Sequence, residues 1–123
     1  MHRDWSQTLR EDHEAIILAD KLSFHNVFAS EHLTDAREKL TKSALFLAML
    51  IYSAERIKLA TGTTNPAQIH PVIVAGNAAM FDHLAQGRFI IGVSPGALTS
   101  DAEELGILDE ERNKMFAEAA TAV

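Results

Sequence analysis

The sequence contains no cysteine. That excludes disulfides, thiolate nucleophiles and the usual cysteine-rich zinc clusters. Long apolar runs are missing too; those present are too short to span a bilayer, and charges interrupt them. No block of like charge stands out among the 11 Lys and Arg and 17 Asp and Glu residues, which leave a net charge of −6. Without a basic stripe to displace counterions from phosphates, no nucleic-acid partner is expected. The opening Met1-His2-Arg3-Asp4 leads into no apolar signal segment. With neither signal nor disulfides, the expected compartment is the cytoplasm, with no membrane association. No histidine pair has metal-ligand spacing on one helix face, so no metal site is expected. No serine sits in a nucleophile-elbow context.

What is present is enough for one globular domain. The chain has 123 residues, 47% of them hydrophobic, and a length of that order suits one domain rather than two. The periodicity switches repeatedly between helical and extended. Residues 6–22 read as a helix with Leu9, Ile16 and Ala19 on one face. Val27-Phe28-Ala29 is a short apolar run of strand length. Residues 31–39 are polar and read as a loop. A second helix, 43–54, is apolar nearly all round from Ala44 to Ile51, so cover on more than one side is expected.

Ile57-Lys58-Leu59-Ala60-Thr61 reads as a second strand, followed by the loop Gly62-Thr63-Thr64-Asn65-Pro66. Pro71 suits the first residue of a third helix. That helix runs to about Leu84, with Gly87 placed to cap it. Phe89-Ile90-Ile91-Gly92-Val93 is a third apolar strand. Ser100-Asp101-Ala102-Glu103 fits a capping box opening a short helix that Gly106 ends. Residues 110–120 read as a last helix.

Strands alternate with helices and are apolar throughout, which is the pattern of a parallel sheet buried on both faces. The fold class expected is α/β: a partial (β/α)8 barrel of about three consecutive units, with residues 1–123 as a single domain. A whole barrel takes roughly 250 residues, so a piece of something longer is expected, lacking the first strand and the C-terminal half.

In parallel α/β folds, ligands bind at the carboxyl ends of the strands. Three polar segments fall there: Ser30-Glu31-His32, Gly62-Thr63-Thr64-Asn65 and Ser94-Pro95-Gly96. His32 is the leading candidate, since an imidazole beside a carboxylate can act as acid, base or orienting donor near neutral pH; an ordinary loop histidine is the alternative. Glu31 has three readings: it orients His32, binds a ligand, or sits in solvent. Gly62 and the threonines suit a backbone that approaches a ligand closely, or a plain turn. Ser94-Pro95-Gly96 matches neither a dinucleotide nor a phosphate-loop fingerprint.

Several stretches together resemble one family. Ser30-Glu31-His32-Leu33-Thr34-Asp35 resembles the acid-histidine segment of bacterial-luciferase-like flavin oxidoreductases. Glu55 to Thr63, His70-Pro71-Val72, Phe81 to Phe89, Ile91-Gly92-Val93, Glu103 to Gly106 and Glu111-Arg112 continue the likeness in order. It is nearest the limonene-hydroxylase-like branch. The resemblance implies a flavin-dependent monooxygenase that uses reduced FMN, delivered by a separate flavin reductase, and O2 to oxygenate a small organic substrate. It implies His32, with Glu31, as catalytic residues, and Thr61, Thr63, Thr64, Asn65 and Ser94 along the flavin. A non-prolyl cis peptide is implied at Thr63-Thr64. Where many members have a second histidine this chain has Leu33, and where the bioluminescent members have an arginine it has Pro95.

Two other readings stand beside this one. A deazaflavin (F420)-dependent hydride-transfer enzyme would use the same histidine, and a non-catalytic fragment or degenerate paralogue would persist by oligomerising through open strand edges. The isolated chain is expected to bind FMN weakly or not at all, and to associate with a second copy.

Overall fold

The computed structural model describes residues 4–108 and 111–122. Helix α1 (Trp5–Lys21) comes first. Then follow β1 (Asn26–Ala29), α2 (Ser43–Ala48), β2 (Lys58–Thr61), a 3-10 turn at Pro66–Gln68, α3 (Pro71–Leu84), β3 (Phe89–Ile90), α4 (Thr99–Glu104) and α5 (Arg112–Ala122). Glu110, placed at the start of the last helix from sequence, lies outside the described residues.

The three strands form one parallel sheet in the order β1-β2-β3, as their apolar runs predict. Val27 pairs with Leu59, and Leu59 with Phe89. This row faces the helices and joins a core with Phe46, Leu47, Leu50, Ile51 and Phe81. Leu9, Ile16 and Ala19 of α1 pack on the same core, which is the face their spacing indicates. The opposite row is Phe28, Ala60 and Ile90. On this face Ala60 is buried and Ile90 half-buried, but Phe28 is 63% exposed, so the expected burial on both faces holds only in part. The core cluster forms on the helix side of the sheet, which leaves the Phe28 ring uncovered.

Helix α2 is shorter than its apolar pattern suggests. After Ala48 the backbone bonds tighten to the third residue back: the amides of Met49, Leu50 and Ile51 donate to Phe46, Leu47 and Ala48. Arg88 holds the carbonyls that follow. Its guanidinium donates to Ile51 (2.6 Å), Ala54 (3.0 Å) and Ile57 (3.4 Å), and its Nε to Ala85 (3.1 Å). A charged donor at a helix C-terminus satisfies carbonyls that otherwise lack partners. Nor is this segment covered on several sides: Leu45 is 73% exposed and Tyr52 86%.

Helix α3 starts as expected. Pro71 occupies its first position, and the His70 side chain accepts from the Val72 amide. At the other end Gly87 has φ +79° and its amide donates to Asp82, a left-handed closure that glycine makes without steric cost. Strand β3 ends at Ile90, three residues short of the sequence expectation; beyond it, Thr64 and Val93 form an isolated parallel bridge. The reason is a side-chain substitute for the ladder, since Thr61 Oγ1 both donates to the Gly92 carbonyl and accepts from its amide, each at 3.0 Å. No described helix is long and apolar enough to cross a membrane.

Candidate active site

The segment after β1 divides its polar side chains between two tasks. Glu31 is buried, and its Oε2 accepts from both the amide and the hydroxyl of Ser43, while Oε1 accepts from Lys42 Nζ at 3.1 Å. This places a carboxylate on the first turn of α2, where the unpaired amides favour negative charge. Glu31 therefore makes no hydrogen bond to His32. Of the three readings of Glu31, solvent exposure and orientation of His32 both fail, because its oxygens are taken up by α2.

The carboxylate that faces His32 is Asp101, from α4. His32 Nδ1 is buried without a hydrogen-bond partner among the described residues, and Asp101 Oδ2 lies 3.7 Å away. Asp101 Oδ1 accepts from the Thr34 amide (2.8 Å), the Leu33 amide (3.2 Å) and the Thr34 hydroxyl (2.6 Å). Burial alone would raise the Asp101 pKa. The Thr34 hydroxyl, the Thr34 and Leu33 amides and the nearby His32 together outweigh it, and the net direction is down. Sequence read Asp101 as part of a capping box with Ser100 at the cap, but the cap falls two residues earlier, at Leu98, with no side-chain cap bond. The Ser100 hydroxyl pairs with Thr34 and the Asp101 carboxylate with the loop, so tertiary partners displace the local cap.

At the ends of β2 and β3 the remaining candidates meet. The peptide bond Gly62-Thr63 is cis, one bond earlier than expected. Thr63 Oγ1 lies 2.6 Å from Ser94 Oγ, and Ser94 Oγ donates to Asn65 Oδ1 at 2.7 Å. Thr63 and Ser94 are half-buried and Asn65 is buried. Thr64 exchanges backbone bonds with Gly92 and Ser94. Thr61 is fully buried, with its hydroxyl engaged by Gly92. So the structure joins Thr63, Asn65 and Ser94 through their side chains, whereas Thr61 and Thr64 serve the backbone beneath them. A cavity of about 130 Å³ adjoins His32, lined also by Glu31, Lys42, Gln68, Ile69 and Asp101.

Comparison with known proteins decides the family. The sequence profile of luciferase-like monooxygenases matches residues 2–123. This chain belongs to the luciferase-like monooxygenase family. It is 32% identical over 116 residues to limonene 1,2-monooxygenase of Rhodococcus erythropolis, covering 94% of this chain and 30% of that protein. It is 33% identical over 114 residues to F420-dependent glucose-6-phosphate dehydrogenase of Beutenbergia cavernae, covering 87% of this chain and 34% of that protein. Among solved structures, monooxygenase RslO1 from Streptomyces bottropensis superposes with a TM-score of 0.92 at 30% identity, over 98% of this chain and 37% of that one. The FMN complex of the oxygenating constituent of 3,6-diketocamphane monooxygenase from Pseudomonas putida superposes with a TM-score of 0.93 at 22% identity, over 97% of this chain and 34% of that one. The chain thus spans about a third of the length of these proteins.

For a luciferase-like monooxygenase the fold is a partial (β/α)8 barrel, and the polar loops lie at the carboxyl ends of its strands, where such barrels place their sites. Reading the sequence missed Asp101, Lys42 and Gln68. One signal for Asp101 was available: it follows the third strand, whose carboxyl-end loop shares a face with His32. Lys42 and Gln68 carry no local signal, because only folding brings them beside the cavity.

Proposed function

We propose that this chain carries part of the flavin and substrate site of a monooxygenase that uses reduced FMN and O2 to oxygenate a small organic substrate. The observation that carries the reading is a convergence at one end of the sheet. There the His32 imidazole, with its buried and unbonded Nδ1, shares a face with the Thr63-Ser94-Asn65 hydrogen-bond chain.

These residues fit a flat ring with a polar edge. The Thr63 and Ser94 hydroxyls offer donors and acceptors to such an edge, and Asn65 orients the Ser94 hydroxyl. The exposed Phe28 side chain, packed against Gly62, offers apolar surface beside them. Bound in its reduced state, FMN supplies the electrons that dioxygen needs. Thr61 and Thr64 hold the loop in place from below. His32 holds or accepts a proton on the substrate side, as an imidazole with one free nitrogen can. The FMN complex of the Pseudomonas neighbour supports FMN as the ligand. The Rhodococcus relative supports a small organic substrate of the limonene kind. The Pseudomonas neighbour is an oxygenating constituent, which supports a separate flavin reductase as partner.

The Beutenbergia relative supports a second reading, hydride transfer with the deazaflavin F420. Residues 1–123 are read as one partial barrel domain, and the exposed Leu45, Met49 and Tyr52 support its association with a second copy.

Amide NMR of the labelled chain, titrated with FMN and separately with F420, tests this reading even where binding is weak. The expected result is FMN-dependent shifts gathered at His32, Thr63, Thr64 and Ser94. Shifts there with F420 alone would favour the second reading. Shifts from both flavins that scatter over the surface and avoid these residues would overturn both.

A further inference from the structure

His32 Nδ1 is a buried polar atom with no hydrogen bond among the described residues. A buried ring nitrogen in that state costs free energy unless an acceptor or donor stands close by. The group that stands close is Asp101, 2% exposed, with Oδ2 at 3.7 Å. The two oxygens of this carboxylate are used differently. Oδ1 takes all three bonds from Leu33 and Thr34. Oδ2 is the oxygen turned to the imidazole. The loop carrying His32 is itself held, because the His32 amide donates to the Leu40 carbonyl at 3.0 Å.

A carboxylate cannot donate, so the pairing selects one tautomer. The proton of the neutral imidazole goes to Nδ1, and Nε2 is left with a free lone pair. Free histidine prefers the other arrangement, so the carboxylate acts against the intrinsic preference. Asp101 lies 69 positions from His32 in the chain, and no local sequence pattern joins them.

We propose that Asp101 is the positioning residue for His32, fixing the Nδ1–H tautomer and ring orientation so that Nε2 serves as the proton acceptor at the candidate site. The inference rests on the proposed monooxygenase site for its catalytic meaning. The pairing itself does not depend on any flavin.

The test is the ring nitrogen spectrum of His32 in the 15N-labelled chain, taken at a pH where the imidazole is neutral. The expected result is a protonated Nδ1 and an unprotonated Nε2. Asp101→Asn keeps an oxygen for the Thr34 and Leu33 amides and turns an NH2 towards the ring. It should move the proton to Nε2 while leaving the Thr34 amide resonance near its place. Thr34→Val removes one bond from Oδ1 and should leave the tautomer unchanged. A merely structural Asp101 would let both variants disturb the loop alike and leave the tautomer alone, and that result would overturn the proposal. So would a wild-type His32 protonated on Nε2, a measurement that needs no variant to fold. FMN titration of the same samples is read separately: loss of FMN-dependent shifts with the tautomer intact would sink the flavin reading and leave the pairing standing.

Discussion

Glu31 Oε2 accepts two hydrogen bonds from Ser43, from its amide at 2.9 Å and its hydroxyl at 2.7 Å. The end of β1 and the start of α2 are joined by this one oxygen, buried on both sides. Glu31→Ala strands the Ser43 amide and hydroxyl and should cost about 2–3 kcal/mol in urea unfolding. Glu31→Gln keeps an acceptor and should cost less. Equal losses in the two variants would mean that the charge, through Lys42, matters more than the Ser43 bonds.

Asp20 should contribute to stability against acid. Its carboxylate accepts from the amides of Glu55 (2.8 Å), Arg56 (3.0 Å) and Ile57 (2.7 Å). The Glu55 amide lowers its pKa most, against the opposing effect of burial, and Ile57, Arg56 and the Arg56 charge add to the lowering. A carboxyl whose folded pKa is depressed contributes stability above its unfolded value, 3.8. That stability fades as pH falls below 3.8 towards the lower folded pKa. Unfolding followed from pH 7 to pH 2 should steepen in this window, and Asp20→Asn should flatten it. A variant with the wild-type acid profile would contradict this.

Two glycines should respond in opposite directions to alanine. A Cβ at Gly92 would overlap the Thr61 carbonyl oxygen, so Gly92→Ala must push β2 and the chain after β3 apart, at a cost of about 2–3 kcal/mol. Around Gly76, inside α3, nothing lies within 4 Å of the added carbon. Gly76→Ala should stabilise by up to about 1 kcal/mol through helix propensity. Thermal unfolding of both variants checks the pair.

Ser94 is the middle member of the Thr63-Ser94-Asn65 chain. Ser94→Ala should weaken FMN-dependent amide shifts about fivefold in apparent affinity, the worth of roughly one hydrogen bond. The variant also leaves the buried Asn65 Oδ1 without its Ser94 donor, so a loss of about 1 kcal/mol in stability should accompany it. Unchanged affinity would remove Ser94 from the proposed flavin edge.

Tyr52, Leu45 and Met49 leave apolar surface on the outside of α2 and the turn that follows it. Sedimentation velocity at low micromolar concentration should find association, and Tyr52→Lys should shift it towards monomer. A compact monomer at every concentration would defeat the idea.

Much of this protein was already decided by local pattern. The three apolar runs became adjacent parallel strands, Pro71 opened α3, and Gly87 closed it. Each depends on near neighbours in the chain: buried strands need apolar runs, proline a helix start, and glycine a left-handed turn. The location of the polar loops also followed, since parallel topology puts them together at one end of the sheet.

What the tertiary structure alone decided was the pairing of polar groups across long separations. Sequence placed Glu31 next to His32, yet in the fold Glu31 turns to Ser43 and Asp101 arrives from 69 positions away to face the imidazole. Likewise Thr61 ends the β3 ladder early by bonding Gly92, and Arg88 gathers the carbonyls of Ile51, Ala54 and Ile57 in the segment after α2. The physical reason is common to all four. A buried polar atom must find a partner, and when several donors or acceptors are within reach, packing and geometry choose among them, which nearness in sequence does not encode.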